Sequence, residues 1–232
     1  MSEILFYHVS ELVTAEKSEK NTFEPQRQKE TLFFSNENVA DTVLPLVIGV
    51  GGAANFFLST CIDKKINALF VHIDDNVESP PLTKGWKMRL PELHSFPGNE
   101  KYNQLISNRH GSEIRSLLHR FSSKCSKIFM IAGLGGQFGT SCLPYFVDIL
   151  RESGKAVHVL VTMPFSFEGR TRYKTAQTGL EQLCYRADGI YVLELDACFQ
   201  HAPHGAKVKQ LFEIGSSMLI DYLQQLSIVE VI

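Results

Sequence analysis

Residues 129–144, FMIAGLGGQFGTSCLP, join an apolar run, a turn rich in glycine and the start of a helix. The run before Gly133 predicts a buried strand, and Thr140 and Ser141 stand where side-chain oxygens cap helices. Glycines between a strand and a helix let backbone N–H groups approach an anion, usually a phosphate, at the helix N-terminus. The stretch therefore predicts an α/β fold with a phosphate site.

A second stretch of this kind, VIGVGGAANFF, occupies residues 47–57. It satisfies the G-x-G-x-x-G/A fingerprint of dinucleotide-binding proteins, and Asp74 lies near the offset of a ribose-binding acid. An NAD-dependent enzyme is therefore one interpretation, and ordinary turn chemistry is another. Two phosphate-type turns on one sheet favour a different reading, in which a single polyphosphate is held between them.

The rest of the chain alternates strands with helices. The strands are continuous apolar runs, as expected for a parallel sheet covered by helices on both faces. We predict an α/β fold, a three-layer Rossmann-like sandwich with a mostly parallel sheet that ends in a long central helix. The predicted strands are 45–50, 67–74, 127–133, 156–165 and 189–195, and the predicted helices are 53–64, 111–120, 142–154, 170–187 and 206–226.

The domain boundaries follow from this pattern. We expect an N-terminal extension over residues 1–42, with one edge strand at TLFFS, and a nucleotide-binding domain over 43–206. The central helix and a tail are expected over 207–232. Residues 76–103 contain four prolines and little periodicity, which predicts a long loop.

Composition excludes several classes of function. The net charge of -2 gives no general attraction to nucleic acid or to anionic membranes. The sequence shows neither an apolar run long enough for a membrane span nor the residue order of a signal peptide, so we expect a cytoplasmic protein without a direct membrane span. Five scattered cysteines without a CxxC pair favour reduced thiols, and we expect no metal site.

Three segments together resemble one protein family. They are GVGGAAN (residues 49–55), AGLGGQFGTSCLP (132–144) and PFSFEGRTR (164–172). Their order and spacing resemble those of the tubulin/FtsZ superfamily of GTP-binding proteins, and specifically its cell-division FtsZ branch. The resemblance covers about residues 43–230.

This resemblance implies GTP or GDP as the ligand, with Mg²⁺ as an optional companion. It implies phosphate contacts from the first glycine loop, from the signature loop and from the loop before the third central strand. It further implies that Glu168 and Arg172 contact the ribose and that Phe212 stacks on the guanine ring. The implied phosphate contacts are Gly51, Gly52, Ala53, Asn55, Gly98, Gly135, Gly136, Gln137, Phe138, Gly139 and Thr140.

The chain departs from the family pattern at several positions. The family's GTG core is Gln137-Phe138-Gly139 here, which places a ring without a hydrogen-bond donor in the loop. Phe56, Leu195 and Ser216 stand where the family carries polar groups that read the guanine edge. We therefore expect weak or lost guanine selectivity.

The family's catalytic loop would begin where this sequence ends, at LSIVEVI. We accordingly assign no catalytic residue and expect at most weak or partner-dependent GTP hydrolysis. The leading hypothesis is a nucleotide-binding protein that acts with an FtsZ-like partner or with further copies of itself, in cell division or membrane remodelling. A pseudo-GTPase scaffold and an NAD-binding enzyme remain the alternatives.

Overall fold

The computed structural model describes residues 5–8, 44–76, 82–90 and 99–227. Within these ranges the chain forms one mixed sheet covered by helices. The strands are β1 (Leu5–His8), β2 (Leu46–Val50), β3 (Leu69–Asp74), β4 (Trp86–Arg89), β5 (Ile128–Gly133), β6 (Val157–Met163) and β7 (Gly189–Glu194). The helices are α1 (Gly52–Asp63), α2 (Asn99–Ser122), α3 (Gln137–Arg151), α4 (Arg170–Cys184) and α5 (Val208–Ser227), with short 3-10 turns at Ser166–Glu168 and Leu195–Gln200.

The strand order is β1-β4-β3-β2-β5-β6-β7. Strands β2 to β7 run parallel, and β1 pairs antiparallel with β4 at one edge. The chain builds outward from β2 to β4 and then crosses to β5, from which it builds outward the other way. The strand order therefore reverses between β2 and β5, and ligands of open α/β sheets bind at the carboxyl ends of the strands at such a point.

Two apolar cores cover the two faces of the sheet. On one face β2, β3 and β5 pack against α2, α3 and α4, with Ile114, Phe146 and Leu183 buried there. On the other face they pack against α1 and α5, with Phe57 and Leu219 buried. The predicted three-layer α/β class is confirmed. The apolar runs of β2 and β5 are buried because both faces are covered, apart from the partly buried Gly133 at the end of β5.

The prediction of a long loop over residues 76–103 is wrong. This segment contains β4, which pairs with β3 and with β1, and the first turn of α2 begins at Asn99. The four-residue strand WKMR escaped prediction because two of its residues are basic, although Lys87 is fully buried.

Two helices begin earlier than the sequence predicts. Helix α2 starts at Asn99 instead of residue 111, and α3 starts at Gln137 instead of residue 142. The second half of the signature loop is thus the first turn of a helix. The strand predicted at TLFFS lies outside the described residues, and the edge strand that the structure describes is β1.

Candidate functional site

The two glycine loops lie side by side at the carboxyl edge of the sheet. They follow β2 and β5, which are hydrogen-bonded neighbours from Leu46 opposite Ile128 to Val50 opposite Ala132. Gly51 has a φ of +81°, and a Cβ placed on it would lie 3.4 Å from the backbone nitrogen of Gly139. The first loop therefore touches the second, and only glycine suits this conformation and this close approach.

The second loop is fixed by hydrogen bonds to its own helix and to the neighbouring strand. The Gly135 N–H donates to Thr140 Oγ1 at 2.9 Å, and the Leu134 N–H donates to the Thr162 carbonyl at 2.9 Å. Gly135 has a φ of +90°, and a Cβ there would lie 2.9 Å from the Arg172 carbonyl oxygen. The Thr140 hydroxyl thus holds the loop in shape from a buried position.

Two helix N-termini point into the space between the loops. Helix α1 is capped by Gly51 and α3 by Gly136, neither has a side-chain cap, and neither has an acidic residue in its first turn. The first N–H groups of a helix have no intrahelical acceptor and carry partial positive charge. Gly52, Ala53 and Gln137 are exposed beside these ends. The phosphates of a nucleotide fit this surface, since it offers backbone donors and no carboxylate in either first turn.

Two of the residues expected to contact the phosphates have buried side chains. Phe138 is only 5% exposed and belongs to the core beneath the loops, with its ring 3.8 Å from a Cβ placed on Gly51. Asn55 is also buried. The Phe138 ring therefore supports the first loop from below instead of projecting among phosphates, and its backbone lies in the first turn of α3.

Glu168 and Arg172 form an ion pair beside the second loop. Arg172 Nη1 lies 2.7 Å from Glu168 Oε2, and Glu168 Oε1 accepts a hydrogen bond from the Phe165 N–H at 2.9 Å. Arg172 Nη2 lies 3.9 Å from a Cβ placed on Gly136. The structure thus brings the half-exposed guanidinium of Arg172 to the rim of the second loop. The Glu168 carboxylate that pairs with it also binds the backbone of the turn before α4.

Phe212, which was predicted to stack on the base, lies in the first turns of α5. Its ring stacks on Phe56, with centroids 5.5 Å apart and planes 14° apart, and meets Phe165 edge-on at 5.5 Å. A cavity of about 20 Å³ lies beneath it, between α1, β5 and α5, with Leu195 and Ser216 in its wall. That volume holds one water molecule and no purine ring, so a base requires movement of side chains here. Gly98 lies outside the described residues.

A buried polar group under the first loop was not predicted as part of the site. His72 is fully buried, and its Nε2 lies 3.1 Å from the Gly51 carbonyl oxygen. Because a carbonyl only accepts, Nε2 carries the proton and the ring holds the loop from below. Desolvation lowers the pKa of His72, so the imidazole is neutral at physiological pH. The sequence signal for this role was a histidine inside an otherwise apolar strand.

Neighbouring charged residues share this buried face of the sheet. Lys87 pairs in register with His72, and Arg89 with Asp74. Burial, followed by repulsion from Arg89, lowers the pKa of Lys87 to about 8. Asp74 is buried, with Oδ1 accepting from the Asp75 N–H at 3.0 Å. A ribose-binding role for Asp74, on which the dinucleotide interpretation depended, is therefore not supported by its placement.

Comparison with known proteins agrees with this geometry. The family model described as "Tubulin/FtsZ family, GTPase domain" matches residues 94–203. Cell division protein FtsZ 1 of Methanocaldococcus jannaschii is 28% identical over 186 residues, which are 78% of this chain and 50% of that protein. Sequence similarity thus relates the chain to the tubulin/FtsZ family of GTPase domains.

Solved structures of two similar proteins share the fold. An empty FtsZ dimer from M. jannaschii matches with a TM-score of 0.66 and 25% identity, over 80% of this chain and 54% of that one. A GTPgS-bound CetZ2 protofilament from Haloferax volcanii matches with a TM-score of 0.67 and 20% identity, over 79% and 57%. This chain thus spans about half the length of these similar proteins. Within the described residues, no helix has the length and hydropathy needed to cross a membrane.

The histidine under the first loop makes stability depend on pH. The lowered pKa of His72 means that, below its ordinary pKa of 6.5, the unfolded chain binds the proton more readily than the folded chain. The free energy of unfolding therefore falls as the pH drops through this range. We expect His72→Gln, whose amide can still donate to Gly51, to remove this dependence.

Denaturant titrations of both proteins at pH 6.5 and at about pH 5.5 test this expectation. The wild-type protein should lose up to about 1 kcal/mol relative to His72→Gln over that interval, the loss that results if only the unfolded chain takes up the proton. Parallel losses in the two proteins would show that His72 does not bear the pH dependence.

Proposed function

We propose that this chain binds GTP or GDP and acts with a partner in cell division or membrane remodelling in the cytoplasm. One observation carries the proposal: the two glycine loops touch each other at the point where the strand order reverses. A polyphosphate placed there receives backbone N–H groups from two helix N-termini at once. Similarity to the tubulin/FtsZ GTPase domain supports a guanine nucleotide as the ligand.

The proposed contacts follow from what each residue presents. Gly52 and Ala53 supply N–H groups of the first loop, and residues 136–139 supply those of the second. The Gly51 N–H donates to the Ile73 carbonyl and the Gly135 N–H to Thr140 Oγ1, so we propose that Gly51, Gly135 and Thr140 shape the loops around the phosphates. Arg172 adds a positively charged side chain at the rim of the second loop, near Gly136. We propose that it contacts the ribose or the adjoining phosphate, while Glu168 holds it in place.

Hydrolysis is proposed to depend on a second polypeptide. The described part of this chain forms a phosphate-binding surface, and we assign no catalytic residue to it. Structural relatives are described as a dimer and as a protofilament. We therefore propose that another copy, or an FtsZ-like partner, meets this chain at the open side of the glycine loops.

A pseudo-GTPase scaffold is the second candidate. It is favoured by the stacking of Phe56 on Phe212, which covers the ring expected to hold the base, and by the small cavity beneath them. In that case the fold serves as an interaction module and its ligand site is unused.

Calorimetric titration of the nucleotide-stripped protein with GTP, GDP and NAD, with Mg²⁺ present, distinguishes these functions. We expect micromolar dissociation constants for GTP and GDP and no measurable binding of NAD at about 1 mM. If neither GTP nor GDP binds, the proposed function is overturned and the scaffold is favoured. Binding of NAD alone would instead favour the dinucleotide interpretation.

The ion pair beside the loop gives a further prediction. Arg172→Ala should raise the Kd for GDP by about 5- to 30-fold, because it removes a charged hydrogen-bond donor from the rim. The free energy of unfolding should change by less than about 1 kcal/mol, since the Arg172 side chain of this ion pair is half-exposed to solvent. Arg170→Ala is the matched control, because it removes the same charge from the exposed first residue of α4. Equal weakening by both variants would indicate a general field effect and not a specific contact.

A further inference from the structure

Five phenylalanines gather beside the site, three of them in the segments that directly follow β6 and β7. Phe165 is the buried centre of the group, and the others contact it or each other; they are Phe56, Phe165, Phe167, Phe199 and Phe212. Within this group, Phe56 and Phe212 are nearly parallel and belong to different helices, α1 and α5. We name these two rings the aromatic pair.

The two members of the aromatic pair differ in how firmly they are held. Phe212 is partly buried and meets the fully buried Phe165 edge-on, at 82° between planes, so its position is fixed by the core. Phe56 is 37% exposed and makes its described ring contact with Phe212 alone. Rotation of the Phe56 side chain therefore opens the pair without disturbing the core.

The space behind the aromatic pair offers little that could read the edge of a base. Its described wall contains two polar side chains, Thr162 and Ser216, and the rest of that wall, including Leu195, is apolar or glycine. Guanine and adenine differ in which edge atoms donate and which accept, so discrimination requires groups of fixed character such as a carboxylate. A hydroxyl can either donate or accept and therefore suits both purines.

We infer that the aromatic pair holds the base of the bound nucleotide by stacking alone, and that this site accepts adenine as readily as guanine. The inference rests on the proposed nucleotide site and names its ligand class as purine nucleoside di- and triphosphates. Stacking of a base on an aromatic side chain contributes about 1–3 kcal/mol and depends on ring area and not on edge chemistry. The phosphates supply the remaining affinity through the glycine loops.

Calorimetry with GTP, ATP, CTP and inorganic tripolyphosphate tests this inference. For the wild-type protein, the Kd values for GTP and ATP should agree within about 5-fold, and CTP should bind more weakly than both because its ring is smaller. A preference for GTP over ATP of more than about 50-fold would overturn the inference while leaving the proposed function standing. Failure of all four ligands to bind would overturn the proposed function itself.

A variant of the aromatic pair adds a readout that is independent of base identity. Phe56→Ala should weaken GTP and ATP by the same factor, about 5- to 20-fold, and leave tripolyphosphate within about 2-fold of its wild-type Kd. Phe199→Ala is the matched control, because Phe199 is 48% exposed in the same group and contacts Phe165 and Phe167 instead of Phe212. It should leave all four ligands unchanged. Tighter nucleotide binding by Phe56→Ala would show that Phe56 obstructs the site, and would overturn the inference.

Discussion

Gly136→Asp should abolish nucleotide binding, raising the Kd for GDP by at least about a hundredfold. Gly136 caps α3, and a side chain there projects toward the space between the two loops and toward Arg172. Two unit charges about 5 Å apart repel by about 3 kcal/mol at an effective dielectric constant near 20. The new carboxylate would both repel a phosphate and pair with Arg172.

The control for this variant is Gly136→Ala. Gly136 has a φ of -81° and a ψ of 158°, which alanine adopts without strain, and the Cβ would meet only Arg172 Nη2, at 3.9 Å. Alanine should therefore keep the Kd for GDP within about 3-fold. Calorimetry on both variants gives the comparison. Retention of wild-type affinity by Gly136→Asp would remove the second loop from the proposed site.

Phe138→Ala should lower the free energy of unfolding by about 3–5 kcal/mol, because it deletes a ring from the core beneath both loops. Phe138 is 5% exposed, whereas Phe167, a ring of the same size, is 57% exposed. Phe167→Ala is the control and should lower the free energy of unfolding by less than about 1 kcal/mol. Denaturant titration of the two variants measures the difference. A small loss for Phe138→Ala would place the ring on the ligand surface and contradict its assignment to the core.

A strand of the sheet could be predicted from the sequence where its own residues are apolar enough to indicate that it is buried. β2 and β5 are continuous apolar runs, and they were predicted to within one residue of their bounds. β4 could not be predicted in this way, because its basic residues are buried only through pairing with β3 and β1. Local hydrophobicity carries no record of such pairing.

The same distinction holds for the candidate site, where local features could be predicted and contacts between distant residues could not. The two glycine loops were predicted from their own residues, since a strand, glycines and a helix start are adjacent in sequence. The direction of the Phe138 ring was not predictable, because it depends on α3 beginning at Gln137. The stacking of Phe56 on Phe212 and the bond from His72 to Gly51 join distant parts of the chain and appear only when the sheet is assembled.

The central claim is that the two glycine loops form one polyphosphate site, and amide NMR during a titration with GDP tests it most directly. The account predicts that the backbone N–H signals of residues 51–54 and 135–140 shift together and saturate with a single Kd. The amide signals of residues far from the loops, such as those at the end of α3 near Arg151, should keep their chemical shifts. Shifts confined to one loop, or absent from both, would contradict the claim.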